Sequence, residues 1–323
     1  MLLNILAILA GLAVLVWGAD RFISGAAALA NNLGVSPMMI GLTIVGFGTS
    51  APEILVSCIA ALDGNPGLAI GNAIGSNIAN IGLILGVTAL FIPLSVHSGV
   101  LKREYPLMLA ISLISLALMW DGELGRLDGL VLIILLVVIL GWMVRSAKTG
   151  ASDPIAGEFD AEIPHDTPTP RAVFWLVIGL LALLLSSRAL VWGAANIAAA
   201  LGVSDVVIGL TIVAIGTSLP ELAASIASAL KNEHDIAIGN VIGSNLYNIL
   251  AVLSLPGLIA PGPFLPEILS RDQPTMIGLT VLLFLMGYSF GKSGRINRLE
   301  GLILLSIFVG YQSLLLFSVI EFT

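Results

Sequence analysis

The chain has 323 residues, of which 58% are hydrophobic and only 10% charged, with a formal net charge of −7. Soluble domains carry roughly a quarter charged residues, so one large water-soluble core is excluded. Much of the negative charge sits in a single loop, which argues nothing for a nucleic-acid partner, and the lone cysteine, Cys58, excludes an internal disulfide and any Cys-based zinc cluster.

A membrane span needs roughly 20 apolar residues. About ten such stretches are read along the chain: 2–29, 37–62, 69–92, 104–120, 127–145, 171–199, 206–230, 236–259, 274–290 and 299–319. The first lacks a basic leading region and reads as a span, not a cleavable leader. The runs are continuous, not alternating, which predicts helices and no strands. The expected fold class is an all-α membrane protein of ten helices.

The first span carries Asp20 and Arg21, and the sixth carries Arg188. An internal ion pair or a snorkelling side chain explains such charges without transport. The second span holds GTSAPE, with Gly48, Thr49, Ser50, Pro52 and Glu53. The third holds GNAIGSNIAN over 71–80. Between the fifth and sixth spans lies a linker, Ser146 to Pro170, with Asp153, Glu158, Asp160, Glu162 and Asp166 and four prolines. It reads as a solvated tether, because no spacing supports a cation site. The seventh span holds GTSLPE, with Gly216, Thr217, Ser218, Pro220 and Glu221, and the eighth holds GNVIGSNLYN over 239–248.

The motifs therefore recur. Residues 41–87 align with 209–255 at a constant offset of 168, with about half of the positions identical. Upstream, 25–36 aligns with 193–204 at the same offset. Such self-similarity marks a duplicated unit. Five spans per unit is an odd number, so the second unit enters the membrane from the opposite side. That inverted-repeat topology places a binding site near the midplane between the repeats. The expected organisation is 1–145 as the first repeat, 146–170 as a linker and 171–323 as the second repeat.

Lys102, Arg103, Arg145, Lys148, Arg171, Lys231, Lys292, Arg295 and Arg298 fall in loops on one side; only Arg126 and Arg271 fall on the other. The positive-inside rule places the first group in the cytoplasm. Both termini are then expected outside and the linker inside, in the cytoplasmic membrane.

Proline lacks an amide hydrogen and clashes with the carbonyl four residues back. Pro52 thus frees the carbonyl of Gly48, and Pro220 that of Gly216. Gly46 and Ala214 lie a half-turn earlier in the same loosened backbone. In a helix, Thr49, Ser50 and Glu53 share a face, as do Thr217, Ser218 and Glu221. Carboxylates, hydroxyls and carbonyls are ligands for a hard cation such as calcium. An ionised carboxylate in hydrocarbon is expensive and marks function by default; a protonated glutamate stapling helices is the plainer reading, but it must hold twice. Ser76 and Asn80, and likewise Ser244 and Asn248, share faces that Asn72 and Asn240 extend, and they read as lining the site. Gly71, Gly75, Gly239 and Gly243 read as close helix packing. Cys58 reads as core. His97, His165 and His234 have no partner spacing for a metal. No Ser, His and carboxylate set and no phosphate loop is present, so the chain is not read as an enzyme.

The paired GTSxPE and GNxxGSNxxN motifs resemble the alpha-1 and alpha-2 repeats of the calcium/cation antiporter superfamily. The likeness is nearest to the bacterial sodium/calcium exchanger branch, the inner-membrane YrbG-like proteins, and covers nearly the whole chain. The resemblance implies a ten-helix antiporter that exports calcium against sodium entry by alternating access. By position it implies Glu53 and Glu221 as central ligands, flanked by oxygens of Thr49, Ser50, Thr217 and Ser218. It further implies Ser76, Asn80, Ser244 and Asn248 at the outer sodium positions and Gly46 and Ala214 as carbonyl donors. One departure stands out: several members carry Asp where this chain has Asn248, which bears on sodium stoichiometry and potassium dependence. Calcium and sodium are the expected substrates and the bilayer the expected surroundings, with no cofactor and no protein partner. A proton/calcium exchanger, a cation channel and a non-transporting scaffold remain open alternatives.

Overall fold

The computed structural model describes residues 1–35, 37–96, 98–148, 167–201, 214–287 and 294–321. Helix dominates them, as a bilayer demands of backbone that water cannot satisfy. Helix α1 is Leu2–Leu33, and it ends at Gly34, whose φ of 63° is the left-handed conformation that glycine supplies without strain. Helix α2 covers 37–49 and includes a wide π-helical turn at Gly41–Val45; α3 is Ala51–Leu62. Helix α4, Pro66–Phe91, starts from Asn65, whose side chain accepts the Leu68 amide at 3.2 Å. Then come α5 (Ser98–Leu118), α6 (Arg126–Lys148), α7 (Thr169–Ala200), the short α8 (Ala214–Thr217) and α9 (Leu219–Leu230). The last are α10 (His234–Ile259), α11 (Gln273–Gly287, entered through a π-helical turn at Ile268–Asp272) and α12 (Arg298–Glu321).

Six of these helices are long and apolar enough to cross a membrane, and the bent α2–α3 pair makes a seventh. Their surroundings differ. Only 22% of the most apolar stretch of α1, α6 and α12 is buried, against 72% for α4 and 94% for α10. The two helices that carry the GNxxGSN motifs are therefore enclosed by protein, while the others turn a face to lipid. His97, His165, the linker acids Asp153, Glu158, Asp160, Glu162 and Asp166, and Thr211 to Val213 of the second repeat lie outside the described residues.

The expectation of no strands needs correction. Leu94–Val96 (β1) pairs antiparallel with Gly294–Ile296 (β4), and Glu123–Leu124 (β2) with Gly262–Pro263 (β3). These pairs are too short to leave a mark in the pattern of apolar residues. Each ties a loop of the first repeat to a loop of the second.

Side chains pack in two main clusters. The larger joins α4, α5, α6, α10, α11 and α12. The other joins α1 to α7 and, among its fully buried residues, takes in Ile40, Val45, Ala224 and Ile236 from neighbouring helices. The α1–α7 seam is built on small residues seven apart: Gly11, Gly18 and Gly25 on one helix, Gly179, Ser186 and Gly193 on the other. A methyl group added at Gly25 would lie 2.7 Å from the carbonyl oxygen of Ala172, and one at Gly193 2.7 Å from that of Asn4. Bare backbone is what lets these helices lie so close.

Candidate cation site

Pro52 and Pro220 each stand at the first or second position of a helix. There the missing amide costs nothing, but the ring blocks continuation from the preceding turn. The backbone leaves the helix at Ser50 (φ −78°, ψ 4°) and at Ser218 (φ −88°, ψ 4°). In the first repeat the flanking pieces, Gly41–Thr49 and Ala51–Leu62, meet at 50°. Spacing alone puts Thr49, Ser50 and Glu53 on one face of an unbroken helix. The break changes this: Thr49 ends one piece and Glu53 sits in the first turn of the next, as do Thr217 and Glu221. A helix N-terminus carries partial positive charge, which favours a carboxylate in that turn.

Both glutamates are 1% exposed, and Thr49, Ser50, Ser218, Ser76, Asn80, Ser244 and Asn248 are buried with them. Thr49 of the first repeat lies 3.1 Å from Asn240 Oδ1 of the second, and Asn240 also holds the Glu221 carbonyl oxygen at 3.2 Å. The two repeats therefore meet at one place.

A matched pair of clamps holds each glutamate's backbone. Asn72 Nδ2 donates to the Glu53 carbonyl oxygen (3.1 Å) and to Ser57 Oγ (2.9 Å). Asn240 Nδ2 donates to the Glu221 carbonyl oxygen (3.2 Å) and to Ser225 Oγ (3.0 Å). The hydroxyl of Thr49 lies 3.1 Å from Val45 O, 3.1 Å from Asn240 Oδ1 and 3.4 Å from Ser244 Oγ. Behind these, Asn80 Nδ2 donates to Asn245 Oδ1 (2.9 Å) and Asn77 Nδ2 to the Asn245 carbonyl (3.2 Å). The amides of Asn77 and Asn245 also reach the sulfurs of Met276 and Met108. π-Helical turns begin at Asn80 and Asn248, a distortion often found at functional sites.

The remaining oxygens decide the chemistry. Ser50 Oγ, Ser218 Oγ, Glu53 Oε2, Glu221 Oε2 and Asn248 Oδ1 are buried with no hydrogen-bond partner among the described residues. A buried oxygen left so costs about 1–3 kcal/mol, and a hard cation is the group that satisfies several at once. Among the described residues no three His, Cys, Asp or Glu side chains converge. The oxygens left without a donor are thus two carboxylates among neutral ones.

Comparison with known proteins bears on the whole chain. The family described as "Sodium/calcium exchanger protein" matches residues 3–145 and 171–317. The putative antiporter CaxA of Alkalimonas amylolytica is 50% identical over 98% of this chain and 100% of its own length. The inner membrane protein YrbG of Escherichia coli is 42% identical over 98% of this chain and 97% of its own. A solved structure of the sodium-calcium exchanger NCX_Mj superposes with a TM-score of 0.82 at 34% identity, covering 96% of this chain and 97% of that one.

The chain belongs to the sodium/calcium exchanger family.

In this exchanger-family chain the residues named from sequence fall into three groups. Glu53, Glu221, Thr49, Ser50, Ser218, Ser244, Asn80 and Asn248 stand at or directly behind the helix breaks. The Gly46 carbonyl accepts the Ser50 amide (3.1 Å) and lies 3.4 Å from Ser244 Oγ. Ala214 opens the short α8, and Thr217 ends it half-buried; Ser76 is buried on α4. The packing expected of Gly239 and Gly243 is present: a methyl group at Gly243 would lie 2.5 Å from the Leu42 carbonyl oxygen, and one at Gly41 3.1 Å from Gly239 Cα. No neighbour among the described residues comes as close to Gly71 or Gly75; the residues equivalent to Gly41 and Leu42 in the other repeat lie outside them.

Asp20 and Arg21 behave as the plainer reading holds. Asp20 pairs with Lys231 at 2.6 Å and lies 3.8 Å from Arg21. Arg188 is exposed on α7, Cys58 is half-buried, and His234 opens α10. Residues the motif reading passed over are Asn77, Asn245, Ser57 and Ser225. All four recur at the offset of 168, so the repeat itself is the signal that finds them. Ser187 carries no such signal. Its hydroxyl donates to the Gly216 carbonyl at 2.7 Å, the very group Pro220 releases, and its counterpart in the first repeat is Ala19.

Proposed function

We propose that this chain is a secondary active antiporter that exchanges sodium for calcium across the cytoplasmic membrane, exporting calcium by alternating access. The observation that carries the reading is that Glu53 and Glu221, one from each repeat, stand at two helix breaks joined through Thr49 and Asn240, each with a buried carboxylate oxygen that no donor among the described residues satisfies. Two carboxylates balance one calcium ion, or hold sodium ions spread over adjacent oxygens, so the two ions compete for the shared glutamates. If the protein switches only when loaded, competition becomes exchange instead of leak.

The ligand set proposed is Glu53, Glu221, Thr49, Ser50, Thr217, Ser218, Ser76, Asn80, Ser244 and Asn248, with carbonyls of Gly46 and Ala214. Residues 1–145 and 171–323 act as two inverted five-helix repeats joined by a cytoplasmic linker at 146–170, with both termini outside. The strand pairs support this arrangement: loops assigned to one side by their Lys and Arg bond to each other (β1 with β4), and so do loops assigned to the opposite side (β2 with β3). Calcium and sodium are substrates, and the chain acts without a cofactor, a nucleic acid or a protein partner, as a carrier and not an enzyme.

Calcium-45 uptake into vesicles reconstituted with the purified protein tests the proposal. An outward sodium gradient should drive uptake. Uptake driven only by a proton gradient would replace sodium with protons, and voltage-driven current without counter-ion would make the chain a channel.

A further inference from the structure

We infer that a pocket between α1 and α7, distant in sequence from the helix breaks, binds the phosphate of an anionic phospholipid. The pocket has a volume of about 210 Å³ and is lined by Arg21, Ser24, Arg171, Ala172, Trp175 and Thr167. That space accommodates a phosphodiester and little more of a headgroup.

Among the described residues that line it, Arg21 and Arg171 are cationic and none is acidic. The nearby Asp20 pairs with Lys231 at 2.6 Å and stands 3.8 Å from Arg21. Arg21 is fixed in place, because its guanidinium lies over the Trp175 ring at 4.9 Å from the centroid. Stacking occupies its face and leaves its edge, where the N–H groups point, open to an acceptor. Arg21 Nε is buried, 3.8 Å from Asp20 Oδ2, and makes no hydrogen bond among the described residues. The Ser24 hydroxyl and the backbone amides at the rim are already engaged. Ser24 Oγ donates to the Asp20 carbonyl (2.7 Å), and the amides of Arg171 and Ala172 donate to the Pro168 carbonyl (2.9 and 3.0 Å). The arginine side chains offer an anion charge-assisted donors, and a planar guanidinium suits two phosphate oxygens.

The setting favours a lipid over a soluble ion. The site sits between two membrane-crossing helices, where Trp175 makes edge contacts with Trp17 and Phe174. Trp17 and Phe174 are 44% and 53% exposed, so an apolar path for acyl chains leads away from the arginines. Arginine beside tryptophan is the pattern of the membrane–water boundary. Asn32 bonds the Thr167 carbonyl at 2.9 Å, which holds the rim to the end of α1.

The test uses the full-length protein in detergent, titrated with dioleoylphosphatidylglycerol, dioleoylphosphatidylcholine or inorganic phosphate and read by native mass spectrometry and thermal unfolding. The anionic lipid should bind and raise the melting temperature where the zwitterionic one does not. An arginine at a membrane surface contributes roughly a factor of five in affinity, so Arg21→Gln with Arg171→Gln should weaken binding roughly 25-fold. Should the double variant not fold, Arg171→Gln alone, at an exposed position, should cost about fivefold, while Arg126→Gln at the start of α6, which does not line the pocket, changes nothing. Equal binding of the two lipids, or equal binding of the anionic lipid by wild type and variant, overturns the inference. Displacement of that lipid by inorganic phosphate at similar concentration overturns it too, in favour of a soluble-anion site.

Discussion

Each glutamate of the site depends on an asparagine one helix away. The amide of Asn72 holds both the Glu53 carbonyl and Ser57 Oγ, and Asn240 repeats this for Glu221 and Ser225. Replacing either asparagine by alanine leaves a buried carbonyl and hydroxyl without a donor, at about 1–3 kcal/mol. It also frees the turn that aims the carboxylate. Asn72→Ala and Asn240→Ala should each slow exchange roughly ten- to hundredfold while the protein stays inserted; unchanged calcium-45 flux in both would show that the clamps do not position the ligands. Glu53→Gln and Glu221→Gln should each abolish sodium-driven flux with the fold retained, and near-normal exchange in either would rule out a shared site. Asn248 makes a finer point. Its Oδ1 is buried and without a hydrogen-bond partner among the described residues, so it can offer a neutral oxygen but no counter-charge. An additional monovalent ion would lack its balance, and in a low-dielectric cavity that matters more than in water. Wild-type exchange should therefore proceed equally with and without potassium, and Asn248→Asp should shift its sodium dependence. Arrest of the wild type on potassium removal would contradict this.

At the scale of elements, the proposed site is built on interrupted helices and on others packed without side chains between them. Gly243 lies against the π-helical turn of α2, with the Leu42 carbonyl oxygen 2.5 Å from where a β-carbon would stand. Backbone cannot give way as a side chain can, so Gly243→Ala should destabilise by about 1–3 kcal/mol and displace the first helix break. Gly310 is exposed on α12 with nothing within 4 Å of an added carbon. Gly310→Ala should be neutral or stabilising by up to about 1 kcal/mol, from helix propensity alone. Thermal unfolding in detergent, followed by size-exclusion chromatography, compares the two; a Gly243→Ala protein as stable as wild type would show that the close approach is not needed.

For the whole molecule, the charge bias predicts orientation. Nine Lys and Arg on one side against two on the other put the 146–170 linker in the cytoplasm. A protein with Cys58→Ala and a single cysteine introduced by Ser152→Cys should resist a membrane-impermeant thiol reagent in intact cells and react after permeabilisation. Labelling of intact cells would invert the topology.

The sequence by itself determined the membrane class, the doubled motif and the two glutamates. Each depends on composition or on local spacing repeated at a fixed offset, and Pro52 and Pro220 mark the loosened backbone through chemistry that acts within four residues. Tertiary structure decided what spacing cannot reach. Thr49 and Glu53 are four apart, yet a 50° bend separates their helix pieces. The bond from Asn80 to Asn245 joins residues 165 apart, and the strand pairs join loops from opposite repeats. The donor that Ser187 brings to Gly216 has no counterpart at Ala19, so the duplication conceals it. A linear pattern records which groups recur; which oxygens are left without a donor depends on how the two repeats close on each other, because a hydrogen bond is settled by distance and angle in space and not by position along the chain.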